Sequence, residues 1–213
     1  MKSEILKFGA DFFALFLCEN LEKKEFGNFT QAGFFDDFLI KGESFKKALN
    51  EFKNLKFQSL DEINSDFTEL FLANIDGVKC PWFASFYFNQ YAQIKTARSF
   101  LVFKEFYKPS NYDLLSPNLP FDALKNELGF ISFCFSSELF KGEIFKKFLQ
   151  DEFLPFAFTF DNLLLQESKT HFYMGFGLLF KDYLNLLVSE FSIKPNFDEI
   201  MDEFKEKSLC KLS

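Results

Sequence analysis

The sequence predicts an all-α fold, a single-domain bundle of about nine to ten helices over residues 1–213, on three observations. β-Branched residues are scarce, with valine only at 78, 102 and 188 and nine isoleucines, so few segments have the chemistry of a strand. Apolar residues recur at three- and four-residue spacing along most of the chain. Breakers gather in short stretches between these periodic runs.

The first run, residues 3–21, carries Ile5, Leu6, Phe8, Phe12, Phe13, Leu15, Phe16 and Leu17 on helical spacing, with Ser3 as its N-cap. Gly27 and Asn28 are expected to break the chain. Thr30 then caps a second segment with Phe34, Phe35, Phe38 and Leu39 on one side, ending at Gly42. Ser44 opens a third helix with Phe45, Ala48, Leu49 and Phe52 on one stripe and lysines opposite. Residues 61–73 read as a fourth, with Ile63, Phe67, Leu70 and Phe71, followed by a loop through Asn74, Asp76 and Gly77.

Pro81 suits the first turn of a new helix, and the stretch 82–107 reads as one helix or two. Residues 108–120, with prolines at 109, 117 and 120, form the clearest loop and a candidate hinge between two lobes sharing one core. Helices are then expected over 121–137, over 143–160 with Pro155 as a kink or break, and over 171–188. The last is apolar almost all round, the pattern of a central buried helix. A final amphipathic piece spans 197–207.

The net charge is −7, from 31 acidic against 24 basic residues, which disfavours nucleic acid and anionic membranes and favours a basic peptide as partner. Phenylalanine reaches 37 residues; alongside many Lys and Asn this reads as the composition of an A/T-rich genome, with Phe filling sites that Leu would pack equally well, and a greasy ligand groove is the sharper alternative. Cys18, Cys80, Cys134 and Cys210 lie far apart, without the paired spacing of zinc or a redox dithiol. Glu4 and Asp11 interrupt the apolar N-terminus, so it is not a secretory signal, and no uncharged apolar run reaches the ~18 residues that span a bilayer. A cytoplasmic protein, neither exported nor stably inserted in a membrane, is the expectation.

Catalytic chemistry is not legible. His171 is the single histidine, which leaves a Ser-His-Asp triad, a histidine-rich metal site or a cofactor-holding carboxylate–histidine bundle without material. It precedes the most apolar helix and is assigned a capping or packing role. No phosphate-binding glycine loop occurs; Gly175-Phe176-Gly177 lies inside a helical pattern. The acidic pairs Asp36-Asp37, Asp61-Glu62 and Asp151-Glu152 read as solvated charge or helix-start carboxylates.

Two stretches stand apart. One runs Asp66-Phe67-Thr68-Glu69-Leu70-Phe71, a short loop, then Pro81-Trp82-Phe83-Ala84-Ser85-Phe86-Tyr87. The other is Pro120-Phe121-Asp122-Ala123-Leu124-Lys125-Asn126-Glu127-Leu128-Gly129-Phe130. In order and spacing they resemble the signatures of the TorD/DmsD/NarJ family of molybdoenzyme maturation chaperones: an acidic-aromatic helix ending in Leu-Phe, a Pro-aromatic segment with Ser and Tyr, and a Pro-Asp-His-Leu helix start. Phe153-Leu154-Pro155-Phe156 and Phe172-Tyr173 extend the similarity over most of the chain. Here Ser85 falls one residue late, Phe121 stands between Pro120 and Asp122, and Ala123 replaces the family's usual His.

The resemblance implies an all-helical, cytoplasmic, non-catalytic chaperone without a cofactor or metal. Its partner would be the catalytic subunit of a molybdenum oxidoreductase, for example a formate dehydrogenase, or that subunit's twin-arginine leader. Carboxylates would meet the guanidinium groups and an aromatic groove the apolar segment. The candidate peptide-binding residues are Leu70, Phe71, Pro81, Trp82, Ser85, Tyr87, Asp122 and Glu127, with Glu69 as a further charge. A non-catalytic adaptor that contacts a folded partner is the alternative. Monomer and domain-swapped dimer are both compatible with a hinge at 108–120.

Overall fold

The computed structural model describes residues 2–17, 20–31, 33–35, 37–72, 77–88 and 95–204. These build nine α-helices and no strand: α1 (Lys2–Phe16), α2 (Lys23–Phe29), α3 (Phe45–Asn54), α4 (Leu60–Phe67), α5 (Lys95–Val102), α6 (Leu124–Ser136), α7 (Glu143–Lys147), α8 (Leu154–Glu167) and α9 (His171–Phe191). The expected all-α bundle is what forms. No helix among the described residues is long and apolar enough to cross a membrane. Cys18, Asp36, Ala73, Asn74, Asp76, Cys210 and the end of the final expected piece lie outside the described residues.

The long apolar pattern of α9 makes it the centre of the bundle, against which α1, α3 and α8 pack, while α1 also lies along α6. Ring contacts knit these helices together. Phe12 of α1 stacks on Phe176 of α9 at 5.4 Å, and Phe35 stacks on Phe52 of α3 at 4.2 Å. Each such ring contributes roughly 1.5–3 kcal/mol by leaving water. Gly9 lets α1 come close, since a Cβ there would sit 2.5 Å from the Tyr183 ring. The Tyr183 hydroxyl donates to the Leu6 carbonyl at 3.2 Å.

Several expected boundaries shift for local reasons. Gly27 and Asn28 lie inside α2, which a capping box of Glu22 and Glu25 starts and Thr30 ends. Residues 33–35 and 37–40 make turns and bends instead of a helix; Phe35 and Phe38 face the core while Phe34 and Leu39 are exposed. Ser3 lies within the first turn of α1 and does not precede it. The capping box of Ser59 and Glu62 starts α4 slightly earlier than expected.

The stretch after Pro81 is the main correction. It does not open as a helix: Phe83 is extended, Ala84–Phe86 make one tight 3-10 turn, and the next helix among the described residues is α5. The reason is in the backbone pairing, because the Trp82 carbonyl and the Ala84 N–H bond to residues 124 and 122 of another segment.

Wide π turns follow α4, α5 and α7, at Thr68–Leu72, Phe103–Tyr107 and Phe148–Phe153. The last leads into Pro155 in the first turn of α8, where a missing N–H is tolerated, so α7 and α8 remain one continuous helical path. The loop at 108–120 is tethered from below. Asn126 accepts the Ser116 N–H at 2.8 Å and donates to the Ser116 and Pro120 carbonyls at 3.1 and 2.9 Å.

Candidate functional site

Two motif segments far apart in sequence meet edge to edge. Phe83 and Ala123 form an antiparallel bridge, the Ala84 N–H donates to the Asp122 carbonyl at 3.0 Å, and the Leu124 N–H donates to the Trp82 carbonyl at 2.8 Å. The Asp122 side chain adds a third link, its Oδ2 accepting the Ser85 N–H at 2.8 Å and so capping the tight turn. Phe121 is clamped on both sides of its peptide: its N–H donates to Ser99 Oγ at 2.9 Å and its carbonyl accepts from the Tyr107 hydroxyl at 2.8 Å.

This junction encloses a cleft of about 410 Å³ lined by Phe83, Ser85, Phe86, Ser99, Phe100, Pro120, Phe121 and Asp122. Its walls are mostly aromatic, and Phe100 is over half exposed at 54%. Asp122 is fully buried, and its Oδ1 has no hydrogen-bond partner among the described residues. An apolar cleft with a carboxylate in its wall suits a cationic group carried on an apolar chain.

Behind Asp122 lies a buried charge cluster of which only Glu127 was a candidate from the sequence; Glu152, expected as solvated or helix-start charge, is instead buried because it pairs with Arg98 in the interior. Arg98, the only arginine of the chain, pairs with Glu152 through Nη2 and with Glu199 at 3.2 Å through Nη1. Its guanidinium carbon sits 3.7 Å over the Phe88 ring. Burial pushes the Glu152 carboxyl up to about 7 in spite of Arg98. Glu127 is wholly buried with neither oxygen hydrogen-bonded among the described residues, and burial, with Glu152 and Asp122 adding, holds its proton well above the ordinary carboxylate range. The signal that points to Arg98 is its uniqueness: 23 of the 24 basic residues are lysine, and this position alone carries the planar, bidentate group.

Of the candidate residues, Ser85 and Asp122 line the aromatic cleft, and Pro81 lines a neighbouring one. Trp82 is half-buried, stacked on Phe71 at 5.6 Å and edge-on to Phe67 at 5.8 Å. Leu70, Phe71, Tyr87 and Glu127 lie in the interior. They position the site from behind: the Leu70 carbonyl accepts the Cys80 N–H at 2.8 Å, and the Tyr87 hydroxyl donates to the Pro81 carbonyl at 2.6 Å. Ala123, where the resembled family has His, is buried beneath the Phe83 bridge. Glu69 is engaged on the surface by Lys79 and Lys169.

Among the described residues of the junction, no hydrogen bond pairs a nucleophile with a base. His171 Nδ1 contacts Glu51 at 2.7 Å, and its N–H donates to Gln58 at the start of α9, away from the cleft residues. Burial pushes the Cys80 and Cys134 thiols up, which leaves them poor nucleophiles. No cluster of metal-ligating side chains occurs among the described residues. No protein-family model matches the sequence, and no curated protein matches it significantly.

Proposed function

We propose that this protein is a maturation chaperone of the TorD/DmsD/NarJ type, which binds the twin-arginine leader or N-terminal region of a molybdenum-oxidoreductase catalytic subunit without turnover. The observation that carries the reading is the junction itself. The Pro81–Tyr87 and Pro120–Glu127 stretches, which carry the sequence resemblance, are hydrogen-bonded to each other around an aromatic cleft holding Asp122. A leader of this kind offers guanidinium groups followed by an apolar run, and the cleft offers a carboxylate followed by rings. The net charge of −7 adds long-range attraction for a basic segment.

The test is co-purification from the native cell with mass spectrometry of what stays bound, repeated with Asp122→Asn and Trp82→Ala. Recovery of an oxidoreductase catalytic subunit with its leader uncleaved, lost in the Asp122 variant, is the expected result. Recovery of a folded partner lacking such a leader, retained by both variants, overturns the reading in favour of an adaptor.

A further inference from the structure

The cleft that holds Asp122 abuts a second one at Phe86, which lines both. The second cleft, about 470 Å³, is walled by Val78, Pro81, Leu163 and Phe204, with Lys79 and Glu167 on its rim. It is built from three separate parts of the chain. Val78 and Pro81 come from the segment leading into the tight turn, Leu163 from α8, and Phe204 from the C-terminal stretch. That stretch is held in place by the Met201 N–H donating to the Tyr87 carbonyl at 2.7 Å and by an antiparallel bridge between Phe88 and Ile200.

The two ends differ in charge. At the first, the buried Asp122 has an oxygen without a partner among the described residues, and behind it the single guanidinium of Arg98 is matched by two acidic side chains, Glu152 and Glu199. At the second, Lys79 stands between Glu69 at 3.5 Å and Glu167 at 4.0 Å, and Lys169 also pairs with Glu69, so two cations balance two carboxylates. A cation is therefore favoured at one end only, and the region between is aromatic and aliphatic.

We propose that the two clefts are one continuous docking site for an extended peptide whose basic residues precede an apolar run. The basic end sits at Asp122, and the apolar run crosses Phe86 into the cleft of Val78, Leu163 and Phe204. This rests on the peptide-binding reading above and adds to it a direction and a second subsite. Polarity follows from the charge difference: a peptide laid the other way places its cations against Lys79 and its apolar residues over Asp122.

Two synthetic peptides test it by calorimetric titration against the full-length protein: an Arg-Arg leader with its apolar run, and the same peptide cut after the basic residues. Val78 is half-buried at the rim, so Val78→Glu is compatible with folding, and a melting curve checks it. The expected result is a loss of about tenfold or more in affinity for the long peptide with Val78→Glu, no change for the short one, and weakening of both with Asp122→Asn. A photo-cross-linking residue in the apolar run, used with the unaltered protein, needs no variant and is expected to label residues around 78–81, 163 or 204. Unchanged binding of the long peptide to a folded Val78→Glu protein, or labelling confined to Phe83, Phe100 and Phe121, overturns the second subsite while leaving the chaperone reading standing. Failure of both peptides to bind the unaltered protein overturns both.

Discussion

The carboxylate of Asp66 holds Thr170 from across the sequence: its Oδ2 accepts the Thr170 N–H at 2.9 Å and the Thr170 hydroxyl at 2.7 Å, and also the Lys169 N–H at 3.0 Å. These groups open α9, so a residue of α4 caps the central helix of the bundle. An anionic acceptor at a helix start satisfies orphan N–H groups and meets the positive end of the helix dipole. Asp66→Ala is expected to lower the unfolding free energy by about 2–3 kcal/mol, with Asp66→Asn intermediate, read from urea denaturation. An Ala variant as stable as the parent rejects the cap.

Acid and base act on the buried carboxyls in a definite sense. Glu152 is raised to about 7 from an ordinary 4.5, and Glu127 is raised well above 4.5, so the folded state holds protons that the unfolded state releases. The contribution of Glu152 to stability is complete below about pH 4.5 and is lost as pH rises through about 7, and that of Glu127 is likewise present in acid and lost as pH rises through its own raised value. The melting temperature is expected to fall between pH 5 and pH 8, and Glu127→Gln to flatten that fall. An identical slope in the variant excludes Glu127 as a source.

Arg98 and Glu152 are expected to behave as a unit. Removing the guanidinium with Arg98→Met strands Glu152 in the interior and costs about 3–5 kcal/mol. Adding Glu152→Gln recovers part of that loss, because the carboxyl left without its partner is gone. A double-mutant cycle measures the coupling, and strict additivity of the two substitutions contradicts a direct pair.

The loop at 108–120 is tied down through Gly129 as well as Asn126. A Cβ at 129 would lie 2.4 Å from the Tyr112 hydroxyl oxygen, the group that bonds the Asn126 carbonyl and the Leu115 N–H. Gly129→Ala is expected to cost about 1–3 kcal/mol and to speed proteolytic cutting within the loop. Unchanged digestion argues that Tyr112 does not set the loop's order.

How much of this was legible follows the range of the interactions. The periodic runs that became α3, α6, α8 and α9 were readable because helix formation is local and the buried stripe repeats within a few residues. The region after Pro81 was misread as helical because its conformation is set by hydrogen bonds to residues 122 and 124, which leave no mark in the local pattern. Asp122 and Ser85 were singled out from the motifs they stand in, and they do face one cleft. Phe100 and Ser99, which complete its wall, sit on an unremarkable helical stretch that only the tertiary fold brings there. Leu70, Phe71 and Tyr87 lie in the same motifs but in the interior, since a short motif records both the residues that form a site and those that brace it.

The wide turn at Phe148–Phe153 sets the angular phase between two halves of one helical path. An α-helix advances about 100° per residue, so deleting one residue from this turn would rotate everything before it by that amount relative to α8. Phe145 and Phe148, now buried, would swing toward solvent, while the exposed Lys146 and Lys147 would turn inward. The chain therefore tolerates changes of residue type along α7 far better than a change of length, and an alignment gap of one position here would be a structural event and not a neutral one.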